Sequence, residues 1–251
     1  MVIMVLEISD FLNRVEATQY TIFTQKLHAS VSKTLETYNG KIIRTDNNHY
    51  VVTFESVTDA IPCTYKIQYR FKYVTPKHQS FSRRLNIALS ATPQYNEPQV
   101  AFTKNLCEII KDQVVMTSTV KSLYQRANEH AEIDTERVRV LTVKEEEFFS
   151  QIIEVLEQYW AQSSLTVTTF SSALGLTYAQ LYRRLLGLTG KAPNQFIKDY
   201  RLHKALIMLH DRQGSIAEIA KQTGFNSSSY FSDCFLEKYG IRPSVYVKQH
   251  T

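Results

Sequence analysis

At 251 residues, 43% hydrophobic and 21% charged, the chain is long enough for two ordinary globular domains and too short for many more. No apolar run approaches the roughly 18 residues of a membrane span, and three cysteines without metal spacing (Cys63, Cys107, Cys234) argue against a disulfide framework or a zinc site, so a reducing, cytoplasmic setting is expected. The net charge of +5 is unevenly spread: Leu165 to Thr251 carry 11 Lys or Arg against 5 Asp or Glu, which fits either a polyanionic partner for that end alone or an ordinary solvated face.

The opening "MVIMVLEI" lacks the basic flank and small-residue cleavage site of a leader and reads as a buried strand. A helical stretch from about Asn13 to Tyr38 follows. After Gly40 come two strands, "KIIRT" and "HYVVTF", joined by the turn-prone "DNN". Helix "VTDAIPCTYKIQYRFKYV", a polar loop "KHQSFS" and strand "RLNIALSA" come next. A helix near Phe102 to Lys111, strand "QVVMTS", helix "TVKSLYQRA", the charged connection "EHAEIDTER" and strand "VRVLTV" complete this half. The order predicts an α+β, ferredoxin-like βαββαβ sheet with its helices on one face, occupying residues 1–143.

This order, with "LETYNGKIIRTDNNHYVVTFESVTDAIPCTYKIQYRF", resembles the class III nucleotide cyclase domain over about 130 residues; Gly40, Arg44, Thr45, Tyr50 and Phe54 keep the frame of its strand-turn-strand. The resemblance implies a site in which two carboxylates hold two divalent ions and an Asn/Arg pair stabilises the transition state. Mapped onto this sequence, the first metal Asp becomes Glu7, the second becomes Asn48 and the transition-state Arg becomes Asn105, while Asn47 and His49 stand at the turn glycines. Hard cations need anionic oxygens, so an amide for a carboxylate cripples a two-metal site, and no cyclase activity, no metal and no cofactor are expected. Glu7, Asp46, Asn48 and Asn105 remain as a candidate ligand cleft, with Asp10 nearby in sequence. Asp46 is also accounted for as a turn residue, and His49 and Cys63 as structural residues. Two uses remain for such a domain: homodimerisation, since cyclase domains pair face to face, and sensing of a small-molecule or nucleotide effector. The aromatic residues Tyr65, Tyr69, Phe71 and Tyr73 suit an interface or, at helical spacing, a core.

The C-terminal half repeats itself at an offset of 50: Leu181 and Phe231, Leu185 and Phe235, Gly190 and Gly240, Pro193 and Pro243, Phe196 and Tyr246. Each copy predicts a short helix, a tight turn at Gly175 or Gly224, and a second helix capped by Thr177 or by Asn226 or Ser227. Between them "NQFIKDYRLHKALIMLH" carries Ile197, Tyr200, Leu206 and Leu209 on one stripe and predicts a connecting helix. With Phe231 and Phe235 inward, Ser228, Ser229 and Ser232 fall on the outer face. The corresponding positions of the first copy are Tyr178, Ala179 and Tyr182, followed by Arg183 and Arg184.

From about Phe148 to the C-terminus the chain resembles the AraC/XylS family of bacterial transcription regulators. The family's second-motif signature is visible as "IAKQTGFNSSSYFSDCFLEKYGIRPSVY" and its first as "LYRRLLGLTGKAPNQFIKDYRLHKAL", with Gly224-Phe225, Tyr230-Phe231, Phe235, Gly240, Pro243 and Arg201-Leu202 among the matches. The resemblance implies an all-α double helix-turn-helix domain, residues 144–251, that binds double-stranded DNA. The base-reading candidates on this mapping are Ala179, Tyr182 and Arg183 in the first helix and Ser228, Ser229 and Ser232 in the second; Tyr178 and Asp233 complete the DNA-binding set, and Lys191, Lys198, Lys204 and Lys238 are either phosphate neighbours or solvated surface lysines. Asp233, opposite Arg183 in the repeat, would be repelled by phosphate unless it accepts from a cytosine amine. A DNA-binding regulator is thus the expectation; a cyclase tethered to DNA and a protein-interaction scaffold are its alternatives.

Overall fold

The computed structural model describes residues 1–8, 17–45, 49–74, 85–110 and 114–249, with side chains from residue 25 onward in the first helix. Two compact units divide at Glu147/Phe148. Among the described residues no helix is long and apolar enough to cross a membrane.

Unit 1 is built on a six-stranded sheet. Its elements run β1 (Val2–Ile8), α1 (Ala17–Thr37), β2 (Lys41–Thr45), β3 (His49–Phe54), α2 (Val57–Val74), β4 (Leu85–Ala91), α3 (Glu97–Ile109), β5 (Val114–Met116), α4 (Ser118–Ala127) and β6 (Val138–Val140). The strand order is β2-β3-β1-β4-β5-β6. β1 pairs antiparallel with both β3 and β4, and β2 with β3, which is the ferredoxin-like arrangement; β5 and β6 extend it in parallel.

Alternation along β1 divides the two faces. Val2, Met4 and Leu6 pack with Leu27, Leu35 and Ile61 of α1 and α2 into one core. Ile3, Val5 and Glu7 point the other way, and there α3 covers the sheet: the Cys107 thiol lies 3.4 Å from the carbonyls of Val5 and Asn86, and Ser90 and Thr103 share a 2.6 Å hydrogen bond. The expectation of helices on one face is therefore corrected. β1 is buried on both sides, and a strand so placed needs a cover for each. The loop "KHQSFS" and the turn "DNN" lie outside the described residues.

Unit 2 is all helix. The division falls inside α5 (Val143–Tyr159), followed by α6 (Val167–Ala173), α7 (Tyr178–Thr189), α8 (Pro193–His210), α9 (Ile216–Gln222), α10 (Ser228–Tyr239) and α11 (Pro243–Gln249). The predicted repeat governs the geometry. α7 and α10 start and stop 50 residues apart, each closed by a left-handed glycine, Gly190 at φ 73° and Gly240 at φ 75°. Prolines open α8 and α11, where no backbone donor is needed. Thr166, Thr177 and Ser215 close reciprocal capping boxes, and Ser227 alone caps α10 by accepting from the Tyr230 N–H.

Candidate nucleic-acid interface

α7 and α10 each bury one face and present the other. Leu181, Leu185 and Leu188 are the buried side of α7; Phe231, Cys234 and Phe235 are that of α10, where Phe231 and Phe235 stand 5.7 Å apart, centroid to centroid. Opposite Leu181 and Leu185, Tyr178, Ala179, Tyr182, Arg183 and Arg184 are exposed, with Tyr178 and Tyr182 stacked at 6.2 Å. Arg184 folds back over the ring of Phe148, 4.1 Å from its centroid. Among the described residues Arg183 has no acidic partner.

On α10, Ser228 and Ser229 are exposed in the first turn. Ser232 is only half-exposed, and its hydroxyl donates to the Ser228 carbonyl at 2.8 Å, so its donor is spent within the helix. Asp233 is exposed and faces Arg242 at 3.6 Å, a neutralising partner that the offset-50 comparison did not supply.

Arg201 of α8 fixes the frame around this helix. Its guanidinium donates to three carbonyls, those of Trp160 (2.9 Å), Gln162 (2.6 Å) and Leu165 (3.3 Å). Gly224, at φ 77°, packs directly on it: a Cβ there would lie 2.9 Å from Arg201 Nε and 3.1 Å from the Trp160 carbonyl oxygen. Sequence comparison picked out Arg201 and Gly224 as motif matches without showing that each needs the other.

The four lysines proposed as phosphate neighbours turn out to hold the unit together. Lys191 and Lys238 (3.4 Å) both pair with Asp199, Lys198 with Glu237 (3.1 Å), and Lys204 with Glu157 (3.0 Å). Burial pushes the Asp199 carboxyl up, but Lys238, Lys191 and Gln195 outweigh it and hold the group below its ordinary range. Apart from Lys191 and Asp199, which are 8 residues apart, these pairs join residues distant in sequence, which a charge count cannot show.

In unit 1 the candidate cleft is only partly described. Glu7 is buried and accepts from Asn86 Nδ2 at 2.9 Å; it sits opposite His49, which lies 3.3 Å from Glu108. Asn105 is half-buried on α3. Asp10, Asp46 and Asn48 lie outside the described residues. Cys63 is buried, and burial followed by the charge of Asp59 pushes its thiol up to about 12, that of an inert core cysteine. Tyr69 is exposed, whereas Tyr65 and Phe71 pack against the core.

Residues 170–249 match a family described as a helix-turn-helix domain. The chain is 31% identical over 107 residues to "Histidine kinase P4" of Formosa agariphila, covering 43% of this chain and 8% of that protein. It is 28% identical over 144 residues to "Uncharacterized HTH-type transcriptional regulator YidL" of Escherichia coli (strain K12), covering 56% of this chain and 45% of that one. This chain thus spans less than half the length of both relatives. Among solved structures, the guanylyl cyclase Cya2 aligns with 53% of this chain and 80% of its own at a TM-score of 0.44 and 12% identity. The repeated capped helices and the family match together identify residues 170–249 as a helix-turn-helix domain.

Proposed function

We propose that this chain is a sequence-specific DNA-binding regulator of transcription, with α7 and α10 entering successive major-groove segments about 34 Å apart on one face of the duplex. The observation that carries this reading is the repeat itself. Two helices of equal length, equally stopped, each pair an apolar face with an exposed polar one. Tyr178, Ala179, Tyr182 and Arg183 are the groove-facing set of α7. Ser228 and Ser229 lead that of α10, where Ser232 serves as an acceptor and the exposed Asp233 faces Arg242 at 3.6 Å.

Arg183 supplies the sharpest test, because a guanidinium with no acidic partner suits a bidentate guanine contact. Arg183→Ala is expected to weaken binding to the preferred duplex by about 1 to 3 kcal/mol and to relax discrimination at one base pair. An unchanged sequence profile in a competition assay removes it from the base-reading set.

For unit 1 we infer a homodimerisation role without catalysis, with or without a small effector. An amide at Asn48 and another at Asn105 stand where a cyclase-like site would need a carboxylate and an Arg, which leaves the triphosphate chemistry without its charges. Cyclic product formed from ATP or GTP by the purified chain with magnesium or manganese would contradict this assignment.

A further inference from the structure

Resting on the DNA-binding reading, we propose a second, unassigned element of the interface: the groove between the Gln162–Leu165 turn and the turn joining α9 to α10 seats a backbone phosphate of the duplex, with Lys221 as its cation. The groove encloses about 600 Å³; Ala161, Ala217, Ala220 and Phe225 form its apolar walls, and Gln162, Ser163, Ser164, Lys221, Asn226 and Ser228 its polar ones.

Where the basic charge of this unit goes argues for that occupant. Lys191, Lys198, Lys204, Lys238 and Arg242 face carboxylates, Arg201 is committed to three carbonyls, and Arg184 lies on Phe148. Among the described residues of the helix-turn-helix domain, Arg183, Lys221 and Lys248 are not given an acidic partner by this packing. Arg183 lies on the groove-facing side of α7 and Lys248 in the last turn of α11. Lys221, exposed at the end of α9, lines the groove beside Ser228, the first residue of α10.

The rest of the polar lining carries unspent donors. Among the described residues the side chains of Ser163, Ser164 and Asn226 make no intramolecular hydrogen bond, while Arg201 ties up the Trp160, Gln162 and Leu165 carbonyls of the same turn. Hydroxyls, an amide and an ammonium gathered without a carboxylate form a site for an anion. A strand that passes α10 in the major groove crosses the turn just before that helix, because the preceding helix of such a motif lies against the backbone. Continuity with Ser228 therefore selects a DNA phosphate over a free anion.

The experiment uses the full chain and its selected duplex, with single phosphates replaced in turn by neutral methylphosphonates, for the wild type and Lys221→Gln. Lys221 is exposed, so folding is expected to be unaffected, with Trp160 emission as the check. In Lys221→Gln the slope of log affinity against log salt is expected to fall in magnitude by about 0.9. Between 50 and 200 mM salt the variant then loses about 3.5-fold less affinity than the wild type. One methylphosphonate beside the α10 half of the site should weaken the wild type and leave the variant unchanged. An equal slope, or sensitivity to every replacement retained in the variant, overturns the seat while leaving the regulator reading intact. No binding of any duplex by the wild type overturns both.

Discussion

Phe235→Ala is expected to destabilise unit 2 by about 3 to 5 kcal/mol. Phe235 is fully buried, and its ring meets those of Phe231 (5.7 Å), Tyr239 (4.6 Å) and Tyr246 (6.1 Å). Truncation removes the buried area of the ring and three aromatic contacts, each worth about 0.5 to 1.5 kcal/mol beyond area alone. The void would open where α10 and α11 meet, so collapse around it requires moving a helix. Since a domain holds only about 5 to 15 kcal/mol in total, the loss takes a large share. The chain has a single tryptophan, Trp160, and it lies in unit 2, so denaturant unfolding followed by its emission reads this unit directly. A change under about 1 kcal/mol would mean that the aromatic cluster is not the core described above.

The second large effect belongs to Gly224. Alanine there is expected to cost about 2 to 4 kcal/mol, the sum of a left-handed backbone for an L-residue and a close overlap. The overlap is hard to relieve: Arg201 is anchored by three carbonyls, and the Trp160 oxygen is backbone. Gly240 is the internal control. Its φ of 75° nearly equals that of Gly224, yet a Cβ there meets nothing within 4 Å, so Gly240→Ala should cost only the conformational part, about 1 to 2 kcal/mol. Equal losses at the two glycines would show that the Arg201 packing contributes nothing.

Local chemistry explains what could be read in advance. Gly190 and Gly240, Pro193 and Pro243, and the capping hydroxyls act within a few residues of their own position, so the repeat, its helix limits and its inward faces were legible as strings. The ferredoxin-like order was legible too, because β1, β3 and β4 are apolar runs between helical ones. The cover of β1 by α3 was missed although the unbroken apolar run "VIMVL" is the mark of a strand buried on both sides. The lysine pairings were beyond reach for a different reason. Lys198 and Glu237, or Lys204 and Glu157, lie about 40 residues or more apart and meet only once the helices are packed. The Lys221 groove likewise depends on Arg201 holding residues 160–165 against the end of α9.

Selection of bound sequences from a random duplex pool by the full-length chain, at a stated salt concentration, tests the central claim most directly. Two distinct submotifs about one helical turn apart, recovered twice when the chain pairs through unit 1, are the predicted result. Binding without any enriched sequence, or enrichment of one submotif alone, would contradict a double-headed reader.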